Sequence, residues 1–321
     1  MKSTLCRAVL SAFLLTAALT PVPAQDWPSR NVIVIVPVPA GVASDIVARV
    51  VFEQVGKQVG HTFVVENRPG AGGTIGGNTV AKAAPDGHTI LVWGSIAAAN
   101  ALYAKLPFDT LKDFTPVAPL GQTPLVVVTG AGRYKSLGEL VSAAKAHPGK
   151  LNFATVGVGS AAHFGAEQLA MSAGFSAQHV PFKGGEWLTE VMAGRLDFAV
   201  SPVTSAIGLI RDGRLVPLAI SSSTRSPSLP NVPMMIEAGL KPDAVYPFYT
   251  GAYLPAKTPH AVAEKLHDEV VKALALPAVQ ARLAAVGVDP MPMTLAEFGD
   301  FFKKDVAANL ELVKAAKIER Q

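Results

Sequence analysis

From residue 31 onward, short β-branched runs alternate with stretches of helical periodicity. No other feature of the chain constrains the fold as strongly. Residues 31–36 are a valine and isoleucine run closed by Pro37, the pattern of a buried strand. Residues 44–55 follow, with Ile46, Val47, Val50, Val51 and Val55 at helical spacing and Gly56 and Gly60 at the end. Residues 62–65 read as a second strand, 74–84 as a helix stopped by the turn at 85–87, and 89–93 as a third strand. This β-α-β-α-β order predicts a mostly parallel sheet with helices on its faces.

The second half repeats the style. Strands are expected at 125–129, 151–155, 179–182, 196–200 and 215–220. Helices are expected at 161–173 and 187–193, and after Ser136, where Ser136 and Glu139 fit a capping box opening a helix to Ala146. A Ser/Pro-rich loop covers 221–233, and 245–254 is aromatic-rich and extended. Two helices close the chain. One runs to Leu274 after Thr258 as cap and Pro259 at the first helical position. The other opens on a second capping box, Thr294 and Glu297, and runs to about Ala315. These two helices bring no sheet of their own, so they are expected to fold back onto the first sheet. Domain 1 then comprises residues 25–125 and 248–321, and domain 2 residues 126–247. Two chain crossings form a natural hinge around a cleft.

Composition narrows the function classes. The chain has 321 residues, 50% hydrophobic, with a net charge of only +4 and no basic stripe, which argues against nucleic acid as partner. Its one cysteine excludes a disulfide framework and a Cys-based zinc site. At the N-terminus, Lys2 and Arg7 precede an apolar run at 8–20, and Val22 and Ala24 occupy the −3 and −1 positions of a cleavage site. This is the pattern of a signal peptide, residues 1–24, cut after Ala24. Cleavage would remove Cys6 and, with Lys2 and Arg7, lower the net charge from +4 to +2. No later segment reaches 18 uncharged apolar residues, so the mature chain is expected to be exported to the periplasm without membrane insertion.

In open parallel sheets ligands bind beyond the carboxyl ends of the strands, which directs attention to the strand-to-helix loops. The first candidate loop holds Pro39, Ala40, Gly41, Val42, Ala43, Ser44 and Asp45. It feeds a helix N-terminus, where free N–H groups favour an anion. The bland alternative is a tight connection in which Ser44 caps its own helix. Asp45 either serves the helix start or selects an ammonium group. The second candidate loop holds Thr155, Gly157, Gly159, Ser160 and His163. Gly157, Gly159 and Ala162 fit G-x-G-x-x-A, but the next strand lacks an acidic ribose partner, so no nucleotide cofactor is expected. The loop's amides and the Thr155 and Ser160 hydroxyls would serve a carboxylate. His163 and Glu167 are a conceivable metal pair without further ligands, and a hydrogen-bonded structural histidine is the preferred reading. Gly94 and Ser95 end the third strand on the same side, and Lys183 with Gly184 could bring a cation there. The glycine-dense stretch 70–77 lacks the Lys-Ser/Thr of a phosphate loop and reads as a helix start packed closely on a neighbour. No nucleophile elbow or acid/base pair stands out, and a hydrolase built on Ser160 and His163 lacks a third group to orient the histidine. An enzyme is not expected.

At these loops the sequence resembles the substrate-binding proteins of tripartite tricarboxylate transporters, the Bug-type periplasmic receptors. Residues 36–49, VPVPAGVASDIVAR, are similar to the family's V-P-F-x-P-G-G-x-x-D-x-x-A-R. Residues 66–76, ENRPGAGGTIG, and 84–89, APDGHT, are close to the family pattern, and 180–185, VPFKGG, is similar to V-P-Y-K-G. The stretches at 106–109, 113–117 and 225–233 extend the resemblance over the mature chain. It implies an α/β, two-domain periplasmic-binding-protein type II fold (a venus flytrap) with a small carboxylate held between the loops at 37–45 and 155–163, mostly by amides, hydroxyls and water. It also implies transient docking to membrane transporter subunits. A monomer is expected. A receptor that presents its loaded form to a membrane sensor kinase is the alternative role. Val38, Ala40 and Val42 depart from the family pattern. Val42 would resist a positive φ if the loop demanded one there.

Overall fold

The computed structural model describes residues 27–94, 96–182, 186–222 and 224–320; the expected signal peptide lies outside them. Two five-stranded sheets organise the chain. The first takes β1 (Val32–Val36), β2 (Phe63–Asn67), β3 (Thr89–Trp93), β4 (Phe114–Gln122) and β10 (Tyr249–Pro255) in the order β2-β1-β3-β10-β4. The second takes β5 (Leu125–Gly130), β6 (Asn152–Thr155), β7 (Gln178–Pro181), β8 (Phe198–Pro202) and β9 (Leu215–Ser221) in the order β7-β6-β8-β5-β9. The central strands pair in parallel, with Val34 opposite both Val65 and Ile90, and Ala154 opposite both Val180 and Ala199.

The two orders are the same pattern. In each sheet the fourth position belongs to the strand that has just arrived from the other sheet, and that strand alone runs antiparallel to its neighbours. The chain leaves the first sheet after Gln122 and enters β5 at Leu125; it leaves β9 at Ser221 and enters β10 at Tyr249. The two crossings touch where the Thr123 amide donates to the Phe248 carbonyl at 2.7 Å.

Among the described residues ten α-helices cover the sheets: α1 (Ala43–Val59), α2 (Thr74–Ala81), α3 (Ile96–Leu102), α4 (Leu137–Ala146), α5 (Ala161–Ala173), α6 (Trp187–Met192), α7 (Val203–Arg211), α8 (His260–Ala275), α9 (Pro277–Ala285) and α10 (Leu295–Ala315). One face of the first sheet buries Val34, Val36, Ile90 and Val92 against Val47, Val51 and Phe52 of α1 and Leu266 and Val270 of α8. The other face packs Leu91, Trp93 and Tyr253 on Phe298 and Phe302 of α10. The second sheet is likewise covered on both faces. Ala98, Ala101 and Leu102 of α3 and Leu312 and Val313 of α10 join Leu125, Phe164 and Phe198 in one of its cores. So α3 and α10 belong by packing to both sheets, and the closing helices do return to the first.

Several elements lie outside the sequence reading. Helices α3 and α7 and strand β4 carry no clear start signal, and α9 has only Pro277 at its first position; α3 is about two alanine-rich turns between two loops. The chain therefore closes with three helices, not two. The extended segment at 245–254 becomes a strand only from Tyr249. Helix α8 has Pro259 as its N-cap with no side-chain cap, and the Thr258 hydroxyl is buried without a partner, contrary to the expected Thr258 cap. Both expected capping boxes start their helices. The Thr294–Glu297 box is reciprocal, whereas Glu139 turns its carboxylate to the Lys135 amide.

Candidate functional site

Helix α1 follows β1 across the loop at 37–42, and its N-cap is Val42, in extended backbone at φ −81°. Two sequence expectations change here. Ser44 does not cap the helix, because it already lies within it; its hydroxyl stands 3.2 Å from that of Thr250. Val42 needs no positive φ, because the left-handed turn falls one residue earlier, at Gly41 with φ +86°. A valine supplies no acceptor for the first helical N–H groups, where Ser or Asp is worth about 1 kcal/mol. The first amides of α1 are therefore open to an outside acceptor; Asp45 and Ile46 are the first to find one within the chain, at the Val42 carbonyl.

Asp45 is buried and points away from that opening. Its carboxylate accepts from the Gly41 amide at 2.8 Å, from Arg49 Nε at 3.1 Å and from Asn67 Nδ2 at 2.8 Å. Asn67 also donates to the Val38 carbonyl at 3.1 Å, and Arg49 donates to Asn67 Oδ1 at 2.9 Å. Burial alone would raise the Asp45 pKa, but Arg49, the Gly41 amide and Asn67 outweigh it and hold the group below the ordinary carboxylate range. Asp45 thus serves the helix start and locks the loop at 38–41 to the end of β2. The Asp of the first motif and the Asn of the second, read apart in sequence, are one hydrogen-bonded unit.

The second loop joins β6 to α5. Ser160 caps α5, accepting from the His163 amide at 3.2 Å and donating to the Gly157 carbonyl at 2.8 Å. Gly157 and Gly159 take positive φ of 127° and 77°. The Thr155 hydroxyl lies 2.6 Å from His179 Nε2 and accepts the Gly157 amide at 3.1 Å. His163, 4% exposed, accepts the Gly159 amide at Nδ1, 3.1 Å away, and its ring lies 3.9 Å from that of His179. Burial, with the neighbouring His163, pushes the pKa of His179 down to about 4. The hydroxyls and imidazoles of this loop are thus engaged with the loop itself. Its outer surface is Val156 and Val158, both exposed, and the open amides at the start of α5.

Helix α3 relates the two loops. Near its N-terminus, Gly94 lies against Ser44 and the Tyr249 carbonyl, and a Cβ there would stand 3.1 Å from the Ser44 hydroxyl. At its C-terminus, Leu102 fills the space that a Gly159 side chain would need. A seven-residue helix is about 10 Å long, so the two loops sit roughly one small molecule apart. Sequence reasoning did not find α3, Leu102 or Thr250. Ser95, Lys183 and Gly184 lie outside the described residues. The 70–77 stretch is a close-packing device, since a side chain at Gly73 would collide with Trp93 and one at Gly77 would press tightly on Phe108 and Trp93. Ser160 and His163 share a backbone cap but no bond between their side chains, so a Ser–His nucleophile is not assembled among the described residues. No group of three or more His, Cys, Asp or Glu residues gathers as a metal site among them, and no helix among them is long and apolar enough to cross a membrane. A separate apolar groove of about 870 Å³, lined by Leu120, His267, Val271, Leu274 and Met291, contains none of the expected site residues.

Comparison with known proteins gives a consistent picture. A family profile described as "Tripartite tricarboxylate transporter family receptor" matches residues 47–318. BugT of Bordetella pertussis is 34% identical over 92% of each chain. The UPF0065 protein of the tcbD–tcbE intergenic region of Pseudomonas sp. strain P51 is 34% identical over 93% of this chain and 91% of its own. Among solved structures, MatC of Rhodopseudomonas palustris with bound malate superposes with a TM-score of 0.74 at 33% identity, covering 89% of this chain and all of that one. R. palustris Rpa4515 with adipate gives a TM-score of 0.78 at 28% identity, covering 92% of this chain and 100% of the other.

Proposed function

This chain belongs to the tripartite tricarboxylate transporter receptor family, and from that premise we propose that it is a periplasmic solute receptor. It captures a small carboxylate in the cleft between its two domains and passes it to a membrane transporter by transient docking. The observation that carries this reading is the pair of helix starts with open first amides, α1 uncapped and α5 capped only at the His163 amide by Ser160, at opposite ends of α3. Each presents backbone N–H groups, while the nearby acidic group, Asp45, is turned inward. Amides and helix dipoles suffice to hold a carboxylate without an arginine. The malate and adipate named for two similar structures support the ligand class.

The contact set we assign is Pro39, Ala40, Gly41, Val42, Ala43, Ser44, Gly94 and Ser95 on one side and Gly157, Gly159, Ser160, Lys183 and Gly184 on the other. Asp45, Thr155 and His163 support these from behind. The domains are residues 25–125 with 248–321, and 126–247, hinged at the two crossings; the protein acts as a monomer after losing residues 1–24. Closure about the hinge buries the ligand and creates the surface that the transporter reads. No step of this cycle needs a cofactor or catalysis.

Thermal melting against a panel of carboxylates, amines and sugars tests the reading. A true ligand raises the melting temperature by mass action. Malate, adipate or a related acid should do so. A response to amines or sugars with none to any acid would overturn the carboxylate assignment.

A further inference from the structure

We propose that His163 and His179 are positioning residues: a stacked pair that holds the glycine loop at 155–159 from its inner side and so presets it for ligand capture. The proposal rests on the carboxylate-receptor reading for its functional part only.

Ser160 holds the Gly157 carbonyl, but nothing within 156–160 accepts the Gly157 or Gly159 amide. Gly157 and Gly159 both sit at positive φ, and glycine loses more backbone freedom on ordering than any other residue. Hydrogen bonds to their amides fix them. The Gly159 amide donates to His163 Nδ1 at 3.1 Å. The Gly157 amide donates to the Thr155 hydroxyl at 3.1 Å, and that hydroxyl is 2.6 Å from His179 Nε2. Alternate amides of the loop are therefore tied to one imidazole directly and to the other through Thr155. The rings are themselves fixed. They stack 3.9 Å apart at 12°, and Phe153 lies under His179 at 5.1 Å and 18°. They come from different elements, α5 and β7, so the stack also fastens the helix to the edge strand beside it.

This arrangement separates positioning from contact. His163 is buried with its acceptor nitrogen turned to its own loop, and Nε2 faces Glu167 Oε1 at 3.7 Å. With Nδ1 taken by the Gly159 amide and Nε2 facing Glu167, the ring is engaged within its own helix and loop. What it contributes to a ligand is a loop that is already shaped, so less ordering entropy is lost on binding.

The test compares His163→Phe, which keeps a stacking ring but removes the acceptor, with His163→Asn, whose side-chain oxygen can take the Gly159 amide. Amide hydrogen exchange is read at Gly157 and Gly159 in ligand-free protein, and affinity for adipate and malate by calorimetry. The Phe variant should exchange at Gly159 at least tenfold faster and bind at least tenfold more weakly, with the Asn variant within threefold of the parent in both. Thr155→Val, nearly isosteric, should accelerate Gly157 alone, and it decides the matter if the Phe variant does not fold. Unchanged exchange at Gly159 in the Phe variant, or weakened binding without faster exchange, would overturn the proposal. If the parent binds neither acid, the ligand reading fails while the exchange data still decide the loop's support.

Discussion

The Tyr249 hydroxyl donates to Asp305 Oδ2 at 3.1 Å, tying the strand that returns to the first sheet to the long C-terminal helix. Asp305 is 7% exposed, and its other oxygen accepts from Asn309 Nδ2 at 2.9 Å. Asn309 in turn accepts from Tyr246, on the crossing segment. Burial pushes the Asp305 pKa up to about 7, against the opposing bonds from Tyr249 and Asn309. The folded state thus keeps a proton that the unfolded chain, with an ordinary Asp pKa near 3.8, releases. Stability from this group is full below about pH 4 and is lost as pH rises towards 7, a change of up to about 4 kcal/mol. Asp305→Asn keeps an acceptor at Oδ1 for Asn309 and places an amide NH2 that donates to the Tyr249 oxygen, reversing that bond; it should abolish the pH slope and stabilise the protein at pH 8. Urea unfolding at pH 5 and pH 8 measures it; equal slopes in parent and variant would contradict the assignment.

His179 titrates with the opposite sign. Its folded pKa is depressed to about 4 from an ordinary 6.5, so its contribution is present above about pH 6.5 and is lost as pH falls towards 4. Histidine NMR titration should show one imidazole that stays neutral down to about pH 4. A midpoint near 6.5 for His179 would contradict the half-buried stack on His163.

Val42 leaves α1 uncapped. Val42→Ser supplies an acceptor to the free amides and should stabilise the protein by about 1 kcal/mol, or about 2–4 °C in melting temperature for a domain of this size. The same hydroxyl would compete for the amides assigned to the ligand, so carboxylate affinity should fall while stability rises. Calorimetry and thermal melting on one preparation check both. A variant that gains neither stability nor weaker binding would remove Val42 from the site.

Gly159 carries two constraints at once, a φ of +77° and the Leu102 side chain where a Cβ would stand. Gly159→Ala should lower stability by about 1–2 kcal/mol from the backbone term alone, and more from the collision. Leu102 lies in a core, so Leu102→Ala lowers stability by itself; against that background Gly159→Ala should cost the backbone part only. Melting of the parent, both single variants and the double variant separates the two parts. No cost of Gly159→Ala in the Leu102→Ala background would mean that the backbone conformation is not strained.

Most strands and the longer helices were legible because their signals are local. The β-branched run at β1, the caps at Ser136 and Thr294, and the glycine that ends α1 announce themselves within a few residues. Helices α3 and α9 were not, since an alanine-rich segment without caps owes its helicity to packing against both sheets or against α1 and α8. The loops assigned to the ligand were read from strand ends and glycines, but the contacts inside them were not legible. Ser44 looked like a cap and lies instead beside Thr250, some 206 residues away in sequence. Asp45 and Asn67 are partners across 22 residues, and His163 and His179 meet only once β7 is laid beside β6. Such pairings depend on register and topology, which no local pattern records.

A crystal structure of the protein purified without denaturation, or grown with adipate or malate, tests the central claim most directly. The account predicts a small acid between the loops at 37–45 and 155–163, its carboxylate oxygens about 2.7–3.2 Å from backbone amides at the start of α1 or α5. An acid bound elsewhere, for instance in the groove beside His267 and Met291, with both helix starts left to solvent, would contradict it.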